Sequence, residues 1–230
     1  MVKRRTYMLP NLRMANKRAR TTAYKPGFNR TTGYYGRFNN ARVSSNVEES
    51  KFLDVFHNSG NIPALGLILN GGSTNNIAQG TTESSRIGRK CTISSIHWRW
   101  NVLLPHNTSP QVSDTVRLIF YLDKQCNGTT ATVQDILQTL NYQSFNNLAN
   151  KDRFKILYDH VLDTNFAAGV SQFADTQVSG SFHKRVNVPI EFSATTGAVT
   201  EIKSNNLGIL IISNNGFCAL DSTVRLRFTG

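Results

Sequence analysis

The sequence contains little of what a disulfide-bonded, secreted or membrane protein needs. Its 230 residues include three cysteines, Cys91, Cys126 and Cys218, and no CxxC pair. Neither a zinc site nor a disulfide framework is therefore predicted, and the three thiols are expected to be small buried groups in a reducing compartment. No apolar run of the secretory type occupies the first twenty residues. The most apolar stretches, IPALGLIL and LGILII, are too short to cross a bilayer, so we expect no membrane insertion.

Recognisable catalytic motifs are absent as well. The sequence has no GxSxG, HExxH, P-loop or GxGxxG pattern. Five histidines occur singly, without the spacing of metal ligands; they are His57, His97, His106, His160 and His183. Asp159 and His160 are adjacent, but neighbours on a strand face opposite sides and cannot act as an orienting acid and a base. We therefore predict no enzymatic activity, no metal site and no cofactor.

Acidic residues are missing from the beginning of the chain. The formal net charge is +12, yet no Asp or Glu precedes Glu48. Of the 26 basic residues, 11 lie in the first 42 positions, so the rest of the chain contains 15 basic and all 14 acidic residues. The eleven are Lys3, Arg4, Arg5, Arg13, Lys17, Arg18, Arg20, Lys25, Arg30, Arg37 and Arg42. We predict that residues 1–47 form an irregular basic arm that binds nucleic acid and that residues 48–230 form a nearly neutral folded domain.

Six aromatic residues are interleaved with the basic residues of the arm: Tyr7, Tyr24, Phe28, Tyr34, Tyr35 and Phe38. The arm has few aliphatic residues and contains Pro10 and Pro26, so it cannot bury enough apolar area to fold alone. Unpaired bases stack on aromatic rings while Lys and Arg contact phosphates, so this pattern favours single-stranded nucleic acid and base stacking on these rings. The alternative is that the rings attach the arm to the domain or to a neighbouring subunit.

After residue 47 the apolar residues alternate with period two. In TVRLIFYL, for example, Val116, Leu118, Phe120 and Leu122 alternate with Arg117, Ile119 and Tyr121, and RVNVPIEF and TVRLRF repeat the pattern. Such alternation predicts half-buried strands of antiparallel sheets. Eight segments show it: 50–57, 62–69, 91–104, 115–124, 153–163, 181–192, 207–213 and 222–229. Their unequal connections favour an all-β, eight-stranded jelly roll of two sheets over a meander barrel.

Three local features refine this prediction. ATVQDIL and SFNNLAN, in the long connection 125–152, are each expected to make a short helix, and Pro189 places its strand at an edge or at a bulge. In RIGRKCTISSIHWRW, strict alternation puts Trp98 and Trp100 on one face and Ile93 on the other. We expect the tryptophans in the core. Whether the basic residues before this strand add to the surface that the arm reaches is left open; they are Arg86, Arg89 and Lys90.

Three segments resemble a known family. SSRIGRKCTISSIHWRW, VRLIFYLDKQCNGTTATVQDIL and NYQSFNNLANKDRFKILYDH follow a KRR-rich arm in the order seen in the capsid proteins of circular Rep-encoding single-stranded DNA (CRESS-DNA) viruses. The similarity covers roughly residues 80–165. It implies a jelly roll that assembles into an icosahedral shell of about sixty copies around circular single-stranded DNA, with the arm inside.

The resemblance also implies a second role for the arm, which is nuclear import. The nuclear localisation signal, read by the host import machinery, would consist of Lys3, Arg4, Arg5, Lys17, Arg18 and Arg20. The implied locations are the virion and the host cell nucleus.

Two other functions are kept as alternatives. A single-strand nucleic-acid-binding protein that forms no capsid would present a basic and aromatic face on its folded domain, as OB-like proteins do. An enzyme of cupin type would need a clustered metal site. The nearly neutral domain argues against the first alternative, and the isolated histidines argue against the second.

Overall fold

A computed structural model describes residues 50–104, 113–164 and 176–230. Within these ranges the chain forms nine strands: β1 (Lys51–Ser59), β2 (Leu67–Ile68), β3 (Lys90–Leu104), β4 (Asp114–Asp123), β5 (Phe154–Thr164), β6 (Thr176–Phe192), β7 (Ile202–Ser204), β8 (Asn206–Ser213) and β9 (Ala219–Thr229). The helical elements are α1 (Val133–Ile136) and three 3₁₀ turns at Leu69–Gly72, Leu148–Asn150 and Val199–Glu201. No helix in these three ranges is long and apolar enough to cross a membrane.

The strands form two antiparallel sheets. One has five strands in the order β1-β9-β3-β6-β7, and the other has four in the order β2-β8-β4-β5. Consecutive strands mostly lie in different sheets, so the chain crosses between sheets as in a jelly roll. This confirms the predicted all-β, two-sheet fold. Eight strands overlap the predicted segments, and the three-residue β7 is additional; the segment 62–69 is paired only at Leu67–Ile68, because Pro63 and the positive φ of Gly66 interrupt it.

The main core lies between the two sheets. Trp98 and Trp100 are in it, with 0% and 5% of their surface exposed, as predicted. Ile93 is in the core too, so its predicted position on the opposite face is wrong. The reason is a β-bulge between Ile93 and Ser95 that adds one residue to β3 and reverses the phase of the alternation. The three cysteines are free and buried, as predicted.

A second, smaller core covers the outer side of the four-stranded sheet. Its apolar residues come from β4, β8, the first residue of β5 and the connection between β4 and β5, in which α1 forms as predicted. The cluster contains Ile119, Tyr121, Ala131, Ile136, Leu137, Phe154, Leu210 and Ile212. Strands β4 and β8 are therefore buried on both faces, although period-two alternation predicted only one buried face. The connection supplies the missing apolar partners.

Pro189 lies in β6 opposite Thr92 of β3. On its other side β6 pairs with β7 only at Glu191 and Phe192, so at Pro189 the strand is an edge, as its ring requires. The predicted edge position is confirmed.

Asp114, at the start of β4, is a buried carboxylate that accepts hydrogen bonds from the turn between β8 and β9. Its oxygens accept from the Ser213 hydroxyl at 2.6 Å, from the amides of Asn215 and Phe217 at 2.9 Å each, and from those of Asn214 and Cys218 at 3.2 Å. Burial raises the pKa of Asp114, but these hydrogen bonds outweigh burial, so its pKa lies below the ordinary value of 3.8.

Asp114→Asn is expected to lower the free energy of unfolding by about 3 kcal/mol at pH 7, because an NH₂ group would face the amides that donate to the carboxylate. The lowered pKa means that the carboxylate stabilises the fold above the unfolded-state pKa and that this stabilisation is lost as the pH falls through the folded-state pKa. The stability gap to the parent protein should therefore shrink below about pH 4. Urea unfolding at several pH values measures it, with the exposed Asp152→Asn as control. Equal stability of the two variants at pH 7 would contradict this role.

Candidate nucleic-acid interface

The register of the five-stranded sheet arranges the outward side chains of β1, β9, β3 and β6 in four rows across the strands. The first row is Phe52, Arg227, Ser95 and Arg185; the second is Asp54, Arg225, His97 and His183; the third is Phe56, Thr223, Arg99 and Ser181; the fourth is Asn58, Asp221, Asn101 and Ser179. We call these residues the sheet face. Its first three rows contain four arginines and two histidines.

The carboxylates of the sheet face are already engaged. Asp54 accepts two hydrogen bonds from the Arg225 guanidinium, at 2.7 and 2.6 Å, and Asp221 accepts one from Asn58. The other three arginines take part in no ion pair among the described residues; they are Arg99, Arg185 and Arg227. The sheet face therefore has positive charge available to a ligand.

Two grooves cross the sheet face. One, of about 510 Å³, lies over the first two rows and reaches Ser50, the residue that precedes β1 on the side of the chain leading to the arm. The other, of about 500 Å³, lies over the third and fourth rows beside Phe56 and Arg99. The ring of Phe56 is unusually open for an apolar side chain, because 77% of the residue's surface is exposed.

His97 lies at the centre of the second row, and its ring meets that of His183 edge-on with centroids 5.6 Å apart. Partial burial lowers the pKa of His97 below its ordinary value of 6.5, and the positive charges of Arg99, His183, Arg225 and Arg227 lower it further. The ring is therefore neutral at pH 7. A bound anion would offset these charges and favour the protonated ring.

The sites predicted from the arm lie outside the described residues. This applies to the eleven basic residues, the six aromatic residues, the nuclear localisation signal and the boundary between residues 47 and 48.

The three basic residues before β3 have different roles in the structure. Arg86 is fully buried: it donates hydrogen bonds to the carbonyls of Ile77, Gly88 and Ala194, and its guanidinium lies 4.1 Å from the ring centroid of Phe192. Arg86 is therefore a structural residue and not part of a basic surface. Arg89 and Lys90 are exposed, and Lys90 lies 3.6 Å from the Glu191 carboxylate.

The sheet face was not predicted as a site. A signal was present, since the outward positions of IHWRW, FHKR and TVRLRF are mostly basic. These segments become neighbours only through the order β9-β3-β6, which sequence periodicity does not contain.

A metal centre is a separate question. In the three described ranges, no group of three or more His, Cys, Asp or Glu side chains could hold a metal ion.

The family described as satellite tobacco necrosis virus coat protein matches residues 40–230. The chain belongs to this coat protein family. It is similar to the capsid protein of Satellite tobacco necrosis virus 1, with 28% identity over 177 residues that cover 76% of this chain and 81% of the relative.

Family membership confirms the predicted capsid function. This coat protein is a structural protein of a virion and not an enzyme, and a coat protein acts through assembly with copies of itself. The genome type, the copy number and nuclear import stay predictions.

The new role of Arg86 is testable by stability. Arg86→Met should lower the free energy of unfolding by about 3 kcal/mol, because the carbonyls of Ile77, Gly88 and Ala194 lose the donor that a buried guanidinium supplies. The matched variant Arg89→Met removes the same charge from an exposed site and should change stability by less than about 0.5 kcal/mol. Urea unfolding of both variants measures this, and similar values would show that Arg86 does not hold the loop before β3.

Proposed function

We propose that this coat protein assembles into a small icosahedral shell of about sixty copies and packages circular single-stranded DNA through its basic arm. The observation that carries the proposal is the division of charge. The arm holds 11 basic residues without an acidic one, and the folded domain is nearly neutral. Such a division suits a shell protein, because a nearly neutral domain can contact like copies of itself while a separate segment neutralises the genome.

The position of the sheet face indicates which side of the domain faces the interior of the shell. Its most basic rows lie beside Ser50, at the end of the sheet where the chain arrives from the arm. The outer side of the other sheet is covered by its own connection and has its arginines engaged. We infer that the sheet face is on the genome side of the shell.

DNA is favoured over RNA by the resemblance of residues 80–165 to CRESS-DNA virus capsid proteins. The chemistry of the arm serves both, since phosphates and unpaired bases are common to the two nucleic acids. The content of the particle therefore decides this part of the proposal.

A second candidate function is the binding of single-stranded nucleic acid without a particle. The sheet face favours it, because basic and aromatic side chains share one open sheet surface as in known single-strand binders. Formation of a closed particle distinguishes the two functions.

Purified full-length protein is expected to sediment as a closed particle that contains nuclease-protected circular single-stranded DNA. Replacing all eleven basic arm residues by Gln should remove most of the protected nucleic acid, because the charges that neutralise the phosphates are lost. Electron microscopy, sedimentation and sequencing of the extracted nucleic acid measure these outcomes. Protected RNA would overturn the DNA assignment, and only monomers or dimers over a range of salt and pH would overturn the shell.

The arm is also expected to carry a fused fluorescent reporter into the nucleus when that reporter is too large to diffuse through nuclear pores. The control carries Gln at the positions of the signal, which are Lys3, Arg4, Arg5, Lys17, Arg18 and Arg20. Fluorescence microscopy should place the first reporter in the nucleus and the control in the cytoplasm, since import receptors recognise clustered basic residues. Cytoplasmic location of both reporters would rule out the import function.

A further inference from the structure

The folded domain has a binding surface of its own. We propose that the sheet face binds single-stranded nucleic acid directly, with phosphates held by Arg99, Arg185 and Arg227 and with one base stacked on Phe56. This inference rests on the proposed packaging function and adds to it a contact that the arm does not make.

The phosphate part of the surface is the groove over the first two rows. Arg227 and Arg185 lie on the strands that flank β3, with Ser95 between them. Two strand spacings separate their backbones by about 10 Å, so the two guanidinium groups can reach a phosphate from opposite sides of the groove. A guanidinium presents donors in a planar fork that matches phosphate oxygens. His97 and His183 in the next row add ring nitrogens that donate when protonated.

The base part of the surface is Phe56. Its ring stands at the edge strand β1, in the same row as Arg99 and separated from it only by Thr223. The groove of about 500 Å³ joins these residues, so a nucleotide can place its base on the ring and its phosphate on Arg99. Asn58 and Asn101 in the fourth row offer amide groups to the edge of a base. Asp221 also lines this groove, where it accepts the hydrogen bond from Asn58.

Nucleic acid fits this surface better than an acidic protein segment does. Acidic side chains would satisfy the arginines but would leave the open ring of Phe56 without a partner, whereas every base has a face that stacks. The groove also reaches Ser50, the residue that precedes β1.

The salt dependence of binding tests the phosphate contacts. The full-length protein carries Arg99→Gln, Arg185→Gln and Arg227→Gln together, and the control carries Lys124→Gln, Lys151→Gln and Lys155→Gln, which remove the same charge from exposed sites on and beside β5. Fluorescence anisotropy follows binding of a labelled oligodeoxythymidine at several salt concentrations. In the sheet-face variant the negative slope of log K against log salt should become shallower by about 2, since each of the three lost single-strand phosphate contacts contributes about −0.7. The control should leave the slope unchanged.

The stacking contact is tested without a change of charge. Phe56→Leu should weaken oligodeoxythymidine binding about tenfold at an unchanged salt slope. Phe145→Leu is the matched control, because Phe145 is 80% exposed in the connection that covers the other sheet, and it should bind like the parent protein. Ultraviolet cross-linking of the unaltered protein followed by mass spectrometry should place an adduct on Phe56, which tests the site independently of any folding defect.

The results separate this proposal from the function on which it rests. Equal slopes for the two triple variants, or cross-links found only on the arm, would overturn the sheet-face site and leave packaging by the arm intact. If the variant without the eleven arm charges binds as tightly as the parent protein while the sheet-face variant loses slope, the arm's role fails and the sheet-face site stands. Loss of particles in the sheet-face variant with an unchanged slope would assign the surface to contacts between copies of the chain and would overturn the proposal.

Discussion

The buried carboxylate of Asp114 is the interaction on which the arrangement of the two sheets depends. It accepts hydrogen bonds from the backbone amides of the turn that connects β8 in one sheet to β9 in the other. Strand β9 lies between β1 and β3, so the start of β9 determines where Arg225 and Arg227 lie relative to both neighbours. One ionised group inside the protein therefore sets the positions of several charges on its surface.

The two outer surfaces of the sandwich use the same residue type in opposite ways. On the four-stranded sheet, Arg117 binds Asp159 and the carbonyl of Tyr142, and Arg153 binds the buried Asp123; these contacts tie the long connection down over a second core. On the five-stranded sheet, Arg99, Arg185 and Arg227 point away from the core and have no ion-pair partner among the described residues. The net charge of the domain is close to zero and conceals this asymmetry, because a charge with an internal partner counts as much in it as a charge that can bind a ligand.

Much of the fold was predictable because alternation is a local property of a strand. Val224, Leu226 and Phe228 are buried as their spacing predicts, and the short helix at α1 follows from its own capping residues. Two features depend on contacts far along the chain and could not be predicted: the second buried face of β4 and the order of strands that gathers the sheet face. For the arm, the sequence alone carries the prediction. Its composition supports binding of nucleic acid, and its residues lie outside those that the structure describes.

The bulge of β3 has a consequence for how this coat protein can vary. Beyond Ser94 each residue of β3 is committed either to the core, as Trp98 and Trp100 are, or to the sheet face, as His97 and Arg99 are. Losing the extra residue would exchange the two sets, so the tryptophans of β3 would face outward and its charged side chains would face the core. Evolution can therefore change the charges of the sheet face one substitution at a time without disturbing the interior, whereas a change in the length of this strand would disturb both.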